Sequence, residues 1–207
     1  MRGLPRLLVL TDRRASERCD RPLSDTVRRA VSGGARAIVL REKDLPRAER
    51  ELLAREVREL VPKLVIASDA DLALAVGADG IHLAADDPWP DQATERVAGD
   101  ADPGFVVGRS CHDELAVRRA AHEGATYATL SPVFASASKP GYGPPLGVGV
   151  LHSHPLPVYA LGGVEPGRAA PCVAAGAAGV AVMGAVMGVE DPARVVRRLL
   201  LELGIRP

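Results

Sequence analysis

Arg41 and Lys43 stand two residues apart. In an extended segment alternate side chains point the same way, so the two cations can converge on one anion, and phosphate is the anion such a pair suits. Lysine is scarce in this chain, since Lys43, Lys63 and Lys139 are the only ones among 26 basic residues. A lysine beside an arginine therefore departs from the chain's habit. Glu42 and Asp44 interleave with the pair, and a solvated charge run is the competing structural reading. Asp69 and Asp87 form a second group. A hard cation such as Mg²⁺ is held by one or two carboxylates together with substrate phosphate oxygens, which makes them a candidate metal pair beside the cations. Asp71 and Asp86 suit plainer roles, a helix N-cap and a solvent-facing neighbour.

Further donors gather in loops. The stretch from Phe134 to Gly147 is long for this chain and carries Ser136, Ser138 and Lys139, each able to donate to a diphosphate; a linker without chemistry is the alternative. Gly162-Gly163-Val164 ahead of a helix, and Met183-Gly184-Ala185 ahead of a turn, present bare backbone amides of the kind that cradle phosphate. Ser68 and Ser110 close two other apolar runs. His82 lies inside a strand and reads as a hydrogen-bonded interior histidine. Cys111 and His112 are expected to begin a helix, and His152 and His154 lack neighbouring ligands for a metal site.

These groups need elements to position them. Four times a helix is expected to end at Gly-Ala, at Gly34, Gly77, Gly124 and Gly176, with a short apolar strand following. Glycine takes the left-handed cap conformation without a Cβ clash, so these are αβ junctions. They introduce Ala37 to Leu40, Gly80 to Leu83, Tyr127 to Ser131 and Gly179 to Met183. Similar runs at Leu7 to Thr11, Leu64 to Ala67, Phe105 to Gly108 and Val158 to Leu161 bring the count to eight, all continuously apolar as strands buried on both faces are. Amphipathic helices fill the intervals, clearest at Ala48 to Leu60, Glu114 to His122 and Pro192 to Leu203. The pattern predicts one compact α/β domain over residues 1–207, a (β/α)₈ TIM barrel whose active face lies at the C-terminal ends of the strands. A doubly wound open sheet competes but lacks the eightfold count.

Composition narrows the partners. Charges balance at 26 acidic and 26 basic residues, so no broad electrostatic surface for nucleic acid or an anionic membrane is expected. Cys19, Cys111 and Cys172 show no CxxC spacing, which fits a reduced, cytoplasmic protein. The N-terminal apolar run Leu7 to Leu10 is too short for an export signal. Val173 to Val189 carries no charge, but its glycines divide it into helix tail, strand and turn. A homo-oligomer stays open.

The phrases Leu40-Arg41-Glu42-Lys43, Gly77-Ala78-Asp79-Gly80-Ile81-His82-Leu83, Gly108-Arg109-Ser110-Cys111-His112, Ser131-Pro132-Val133-Phe134 with Ser138-Lys139-Pro140, and Leu161-Gly162-Gly163-Val164 occur here in this order. With them the chain resembles, over nearly its whole length, the thiamine phosphate synthases and their relatives the thiazole tautomerases. The resemblance implies a Mg²⁺-dependent transferase in thiamine biosynthesis. Such an enzyme joins hydroxymethylpyrimidine diphosphate to thiazole phosphate and releases diphosphate, so its partners are phosphorylated small molecules. Diphosphate leaves first, giving a pyrimidine-methyl cation, and the protein must stabilise the charge on the leaving group. By this resemblance Arg41, Lys43 and Lys139 serve catalysis and Asp69 and Asp87 hold the metal. Ser68, Ser110, Ser136 and Ser138 contact diphosphate or pyrimidine, while Gly162, Gly163, Met183 and Gly184 hold the thiazole phosphate.

Departures from the synthase pattern cluster. Val39 stands for a Gln, Ser68 for an Asn and Ala85 for a Gln, and each lost hydrogen bond to a buried substrate edge costs roughly 1–3 kcal/mol. The tautomerase alternative uses a His where this chain has Ser131-Pro132-Val133, and Pro132 cannot act as acid or base. A non-catalytic binder of phosphorylated molecules is the third possibility.

Overall fold

A computed structural model describes residues 4–90, 104–135 and 144–206 of the protein. Its strands are β1 (Leu7–Leu10), β2 (Ala37–Leu40), β3 (Lys63–Ala67), β4 (Gly80–Leu83), β5 (Val106–Cys111), β6 (Tyr127–Leu130), β7 (Val158–Ala160) and β8 (Gly179–Val182). Each pairs in parallel with the next, and β1 returns to β8 through Leu7, Leu8 and Val9, closing a barrel. Between and after the strands stand α1 (Arg13–Glu17), α2 (Leu23–Ser32), α3 (Arg47–Leu60), α4 (Ala70–Ala75), α5 (Glu114–Glu123), α6 (Ala169–Ala174), α7 (Gly184–Met187) and α8 (Pro192–Glu202). The four Gly-Ala junctions behave as expected, with Gly34, Gly77, Gly124 and Gly176 all at positive φ.

Period-two alternation divides the strand residues between two cores. Leu7, Val9, Ile38, Leu40, Leu64 and Ile66 face outward and pack under the helices, with Ala54 and Val57 of α3 and Val196 and Leu199 of α8. Leu8, Leu10, Val39, Val65, Ala67 and Ala181 face inward, where Tyr127 and Tyr159 meet edge to face at 5.6 Å and plug the lower barrel. The same inward parity carries Arg41, His82, Ser110, Thr129 and Met183 upward to the mouth. Among the described residues no helix is long and apolar enough to cross a membrane, and Val173 to Val189 contains the end of α6, then β8 and α7.

Aspartates start several of the helices. Asp12 caps α1 through Ala15 N, Asp69 caps α4 through Leu72 N, Asp113 caps α5 through Ala116 N, and Asp191 caps α8 ahead of Pro192. Each satisfies a backbone N–H that the helix itself leaves unpaired. The cap of α4 is thus Asp69 and not Asp71, which lies one residue inside the first turn. Cys111 belongs to β5 and α5 begins only at Glu114, so Cys111 and His112 do not open a helix.

Candidate active site

Strand β2 stops at Leu40, and the next three residues do not continue it. Glu42 has φ +20, outside the extended region, so Arg41 and Lys43 are not alternate residues of one strand. Both nevertheless line one cleft, and both lie close enough to His82 to act on its imidazole. Arg41 donates its backbone N–H to Thr11 Oγ1 at 3.0 Å, and its guanidinium reaches Met183 Sδ at 3.2 Å beyond β1. Lys43 Nζ lies 4.0 Å from Asp87 Oδ2. Glu42 is buried and its carboxylate accepts the Arg13 backbone N–H, at 3.2 Å to one oxygen and 3.3 Å to the other, together with an Arg13 guanidinium N–H at 3.3 Å. Arg13 also grips Asp44 through two bonds of 2.7 and 2.8 Å, and Arg14 joins the same carboxylate. The Arg13 guanidinium holds the Asp44 carboxyl down at about 2. Arg13, Arg14, Arg41 and Lys43 share the walls of an open cleft of about 320 Å³ beside the ends of β1 and β2.

Across the mouth, Ser68 carries φ +57, a conformation uncommon for a residue with a Cβ. Its hydroxyl donates to Asp87 Oδ2, the atom that also accepts the Ala84 N–H at 2.6 Å. Burial alone would raise the Asp87 carboxyl; the bonds from Ser68 and Ala84 and the nearby Lys43 and Arg109 outweigh it and leave the group below the ordinary carboxylate range. Among the described residues, Asp87 Oδ1 accepts no hydrogen bond. Asp69 is more committed: Oδ1 caps α4 at 2.8 Å, and Oδ2 faces Arg47 Nε at 3.3 Å and the buried Arg50 at 3.5 Å. Asp86 is exposed, as expected of a solvent-facing neighbour.

Beneath these charges lies a neutral polar layer. His82 Nδ1 meets Tyr127 Oη at 2.9 Å, and Nε2 meets Ser110 Oγ at 3.0 Å and Thr129 Oγ1 at 3.4 Å. Burial, with Lys43 and Arg41 overhead, pushes the imidazole down to about 3, so it is uncharged at neutral pH. Burial also raises the Tyr127 phenol, which stays protonated. In the tautomer in which Tyr127 donates to Nδ1, the imidazole proton sits on Nε2 and is donated to Ser110. Gly108 makes room for this stack, since a Cβ there would fall 2.5 Å from His82 Nδ1 and closer still to the Tyr127 ring.

The strand-seven glycines stand differently from expectation. Gly162 at φ +89 and Gly163 at φ +65 do not precede a helix directly, as α6 starts at Ala169. They pack against the loop after β6: Phe134 N–H donates to Gly162 O at 3.0 Å, and a Cβ on Gly163 would strike Ala135 O and come within 2.8 Å of Phe134 Cβ. Arg168 donates to Gly163 O at 2.8 Å and rests 5.2 Å from the Phe134 ring centre. Met183-Gly184 leads into the short helix α7, and the space beside Gly184 is open for 4 Å. Ser136, Ser138 and Lys139 lie outside the described residues. His152 and His154 bond to nearby backbone carbonyls.

A family model described as thiamine monophosphate synthase matches residues 7–186. The thiamine-phosphate synthase of Roseiflexus castenholzii is 40% identical over 199 residues, covering 92% of this chain and 85% of that protein. The thiamine biosynthesis bifunctional protein ThiM/ThiE of Symbiobacterium thermophilum is 42% identical over 187 residues, 86% of this chain, which spans only 38% of that longer protein. Among solved structures, the thiamine phosphate pyrophosphorylase from Pyrococcus furiosus superposes with a TM-score of 0.82 at 29% identity, covering 98% of this chain and 97% of that one. The chain belongs to the thiamine monophosphate synthase family.

The three departures from the synthase pattern fall in three environments. Val39 is sealed inside the barrel among Leu8, Leu10 and Tyr127, Ser68 sits at the mouth against Asp87, and Ala85 is exposed in the turn after β4. Four side chains that shape this candidate site had no role there in the sequence reading: Glu42, Arg47, Arg50 and Arg109. A charge inside a short motif, as with Glu42, was the available signal; the pairing of Arg47 and Arg50 with Asp69 depends on tertiary contact.

Proposed function

We propose that the protein is a thiamine-phosphate synthase, joining hydroxymethylpyrimidine diphosphate to thiazole phosphate and releasing diphosphate. The observation that carries this is the arrangement at the mouth, where Arg41, Lys43 and Asp87 surround a neutral floor of His82 and Ser110. The reaction breaks the bond between the pyrimidine methylene and the diphosphate oxygen, and the electron pair leaves with diphosphate. Arg41 and Lys43 meet the growing negative charge with fixed donors, which is where preorganised electrostatics lowers a barrier. The thiazole nitrogen then supplies the pair for the new carbon–nitrogen bond. Because His82 is uncharged, it adds no cation beneath the pyrimidine-methyl cation. With His82 donating to it, Ser110 keeps its own O–H for a substrate atom.

A carboxylate beside a cation, as Asp87 stands beside Lys43, is an oxygen donor of the kind a Mg²⁺–diphosphate complex takes. Asp87 would hold the ion through Oδ1, while Asp69, which shares its charge with Arg47 and Arg50, would be the weaker ligand. When bound, the ion supplies further positive charge to the diphosphate oxygens. Lys139, Ser136 and Ser138 are assigned to the same diphosphate by their family phrase. Gly184 and the open space beside it are assigned to the thiazole phosphate.

The test is growth. Expressed in a bacterium lacking its own thiamine-phosphate synthase, the protein should restore growth without thiamine, and the Asp87→Ala variant should not. Failure of the folded wild type to restore growth would overturn the assignment.

A further inference from the structure

No step of the proposed reaction uses Arg109, a charged side chain only 6% exposed. It sits on β5 between Gly108 and Ser110 but with the opposite parity, so it leaves the barrel wall outward, as Val107 and Cys111 do. A guanidinium buried there stands only if its donors are met. They are met chiefly by one turn. Arg109 Nη1 donates to Ala84 O at 2.9 Å and to Asp87 O at 2.6 Å, the two ends of the turn after β4, which Asp87 N–H closes onto Ala84 O at 3.2 Å. Nη2 donates to Glu123 Oε2 of α5 at 2.9 Å, and the guanidinium lies 5.5 Å from the Trp89 ring centre. The turn is therefore pinned from outside by Arg109, while its inner side presents the Asp87 carboxylate to Ser68 and Lys43.

We propose that Arg109 is the positioning residue for Asp87, fixing the turn after β4 so that the carboxylate faces the diphosphate. The inference rests on the reading of Asp87 as a diphosphate-side metal ligand. Two carbonyls of one turn and a carboxylate of the next helix require a planar fork, which lysine lacks although it keeps the charge. Arg109→Lys therefore separates charge from geometry. Residues that orient a metal ligand from behind typically change metal affinity about 10- to 100-fold when altered.

The experiment measures Mn²⁺ binding by electron paramagnetic resonance, with inorganic diphosphate present, on the whole protein. Arg109→Lys should weaken Mn²⁺ binding at least about 10-fold and raise the Mg²⁺ concentration needed for half-maximal synthesis by a similar factor. The KM for thiazole phosphate should stay within twofold, because the assigned cradle lies on other strands; a purely structural defect would move both. Should Arg109→Lys fail to fold, Glu123→Ala removes only the outer anchor of the guanidinium and should weaken Mn²⁺ binding by a smaller, measurable factor. Wild-type Mn²⁺ affinity in folded Arg109→Lys, or in Glu123→Ala if that is the variant available, overturns the positioning role. A wild-type protein that binds no Mn²⁺ with diphosphate overturns instead the metal reading on which the role rests.

Discussion

Replacing Asp87 by asparagine separates its structural work from its chemical work. Both bonds that hold the carboxylate in place, from Ser68 Oγ and from Ala84 N, converge on Oδ2. Asparagine can put its carbonyl oxygen at that point and keep both, which leaves an NH₂ where Oδ1 stood. The two bonds lose their charge assistance, about 0.5–1 kcal/mol each. The Lys43 pair is long at 4.0 Å and half exposed, so its loss adds well under about 1 kcal/mol. A neutral amide is easier to bury, which offsets part of this. The net cost is about 1–2 kcal/mol, or a Tm lower by roughly 2–8 °C for a chain of this size. The effect on turnover should be of another order. An NH₂ cannot ligate Mg²⁺, and losing about 3 kcal/mol of charge stabilisation slows the reaction about 100-fold. Thermal melts and Mg²⁺ titrations of thiamine phosphate synthesis on the same preparation measure both. A folded Asp87→Asn with wild-type turnover and Mg²⁺ dependence would refute the placement of Asp87 at the diphosphate, and a Tm drop far beyond 10 °C would make its role structural.

Ser68→Asn should raise Tm by about 1–4 °C, because asparagine tolerates the left-handed φ of +57 better than serine; an unchanged or lower Tm in thermal melts counts against strain at this site. Val39→Gln buries an amide among apolar side chains and should cost about 1–3 kcal/mol, seen as a lower urea midpoint, without improving kcat/KM for the pyrimidine diphosphate. Gly163→Ala should lower Tm and thiazole phosphate affinity together, since its Cβ collides with Ala135 and Phe134, whereas Gly184→Ala should leave Tm unchanged; calorimetry on both separates loop collapse from lost binding. His82 binds its proton near 6.5 when unfolded and near 3 when folded, so the unfolded state holds more protons between those values and stability falls as pH drops through that window. His82→Gln should flatten that slope in denaturation midpoints measured from pH 7 to pH 4.

The barrel was legible because its signals are local. The Gly-Ala junctions require only a left-handed cap before an apolar run, and all four glycines adopt it. Strand parity then carries Arg41, His82 and Ser110 to the mouth without further information. What escaped the sequence depends on backbone turns and on contacts between distant segments. The φ of +20 at Glu42 interrupts the strand between Arg41 and Lys43, so their shared place on one cleft does not come from the alternation that an extended reading assumes. Asp69 and Asp71 are equally good caps by residue type, and only where α4 begins distinguishes them. The Gly162-Gly163 pair looked like a helix entrance, but its lack of side chains also serves the close passage of the loop after β6. Arg109 appeared only as a letter in a motif, because its partners, Ala84, Asp87 and Glu123, come from two other parts of the chain.

The central claim is tested most directly by supplying the purified protein with hydroxymethylpyrimidine diphosphate, thiazole phosphate and Mg²⁺ and following both products over time. Thiamine phosphate and diphosphate should appear in equal amounts, only when both substrates and the metal are present. Binding of both substrates without formation of thiamine phosphate would contradict the account and leave the protein a binder of phosphorylated molecules.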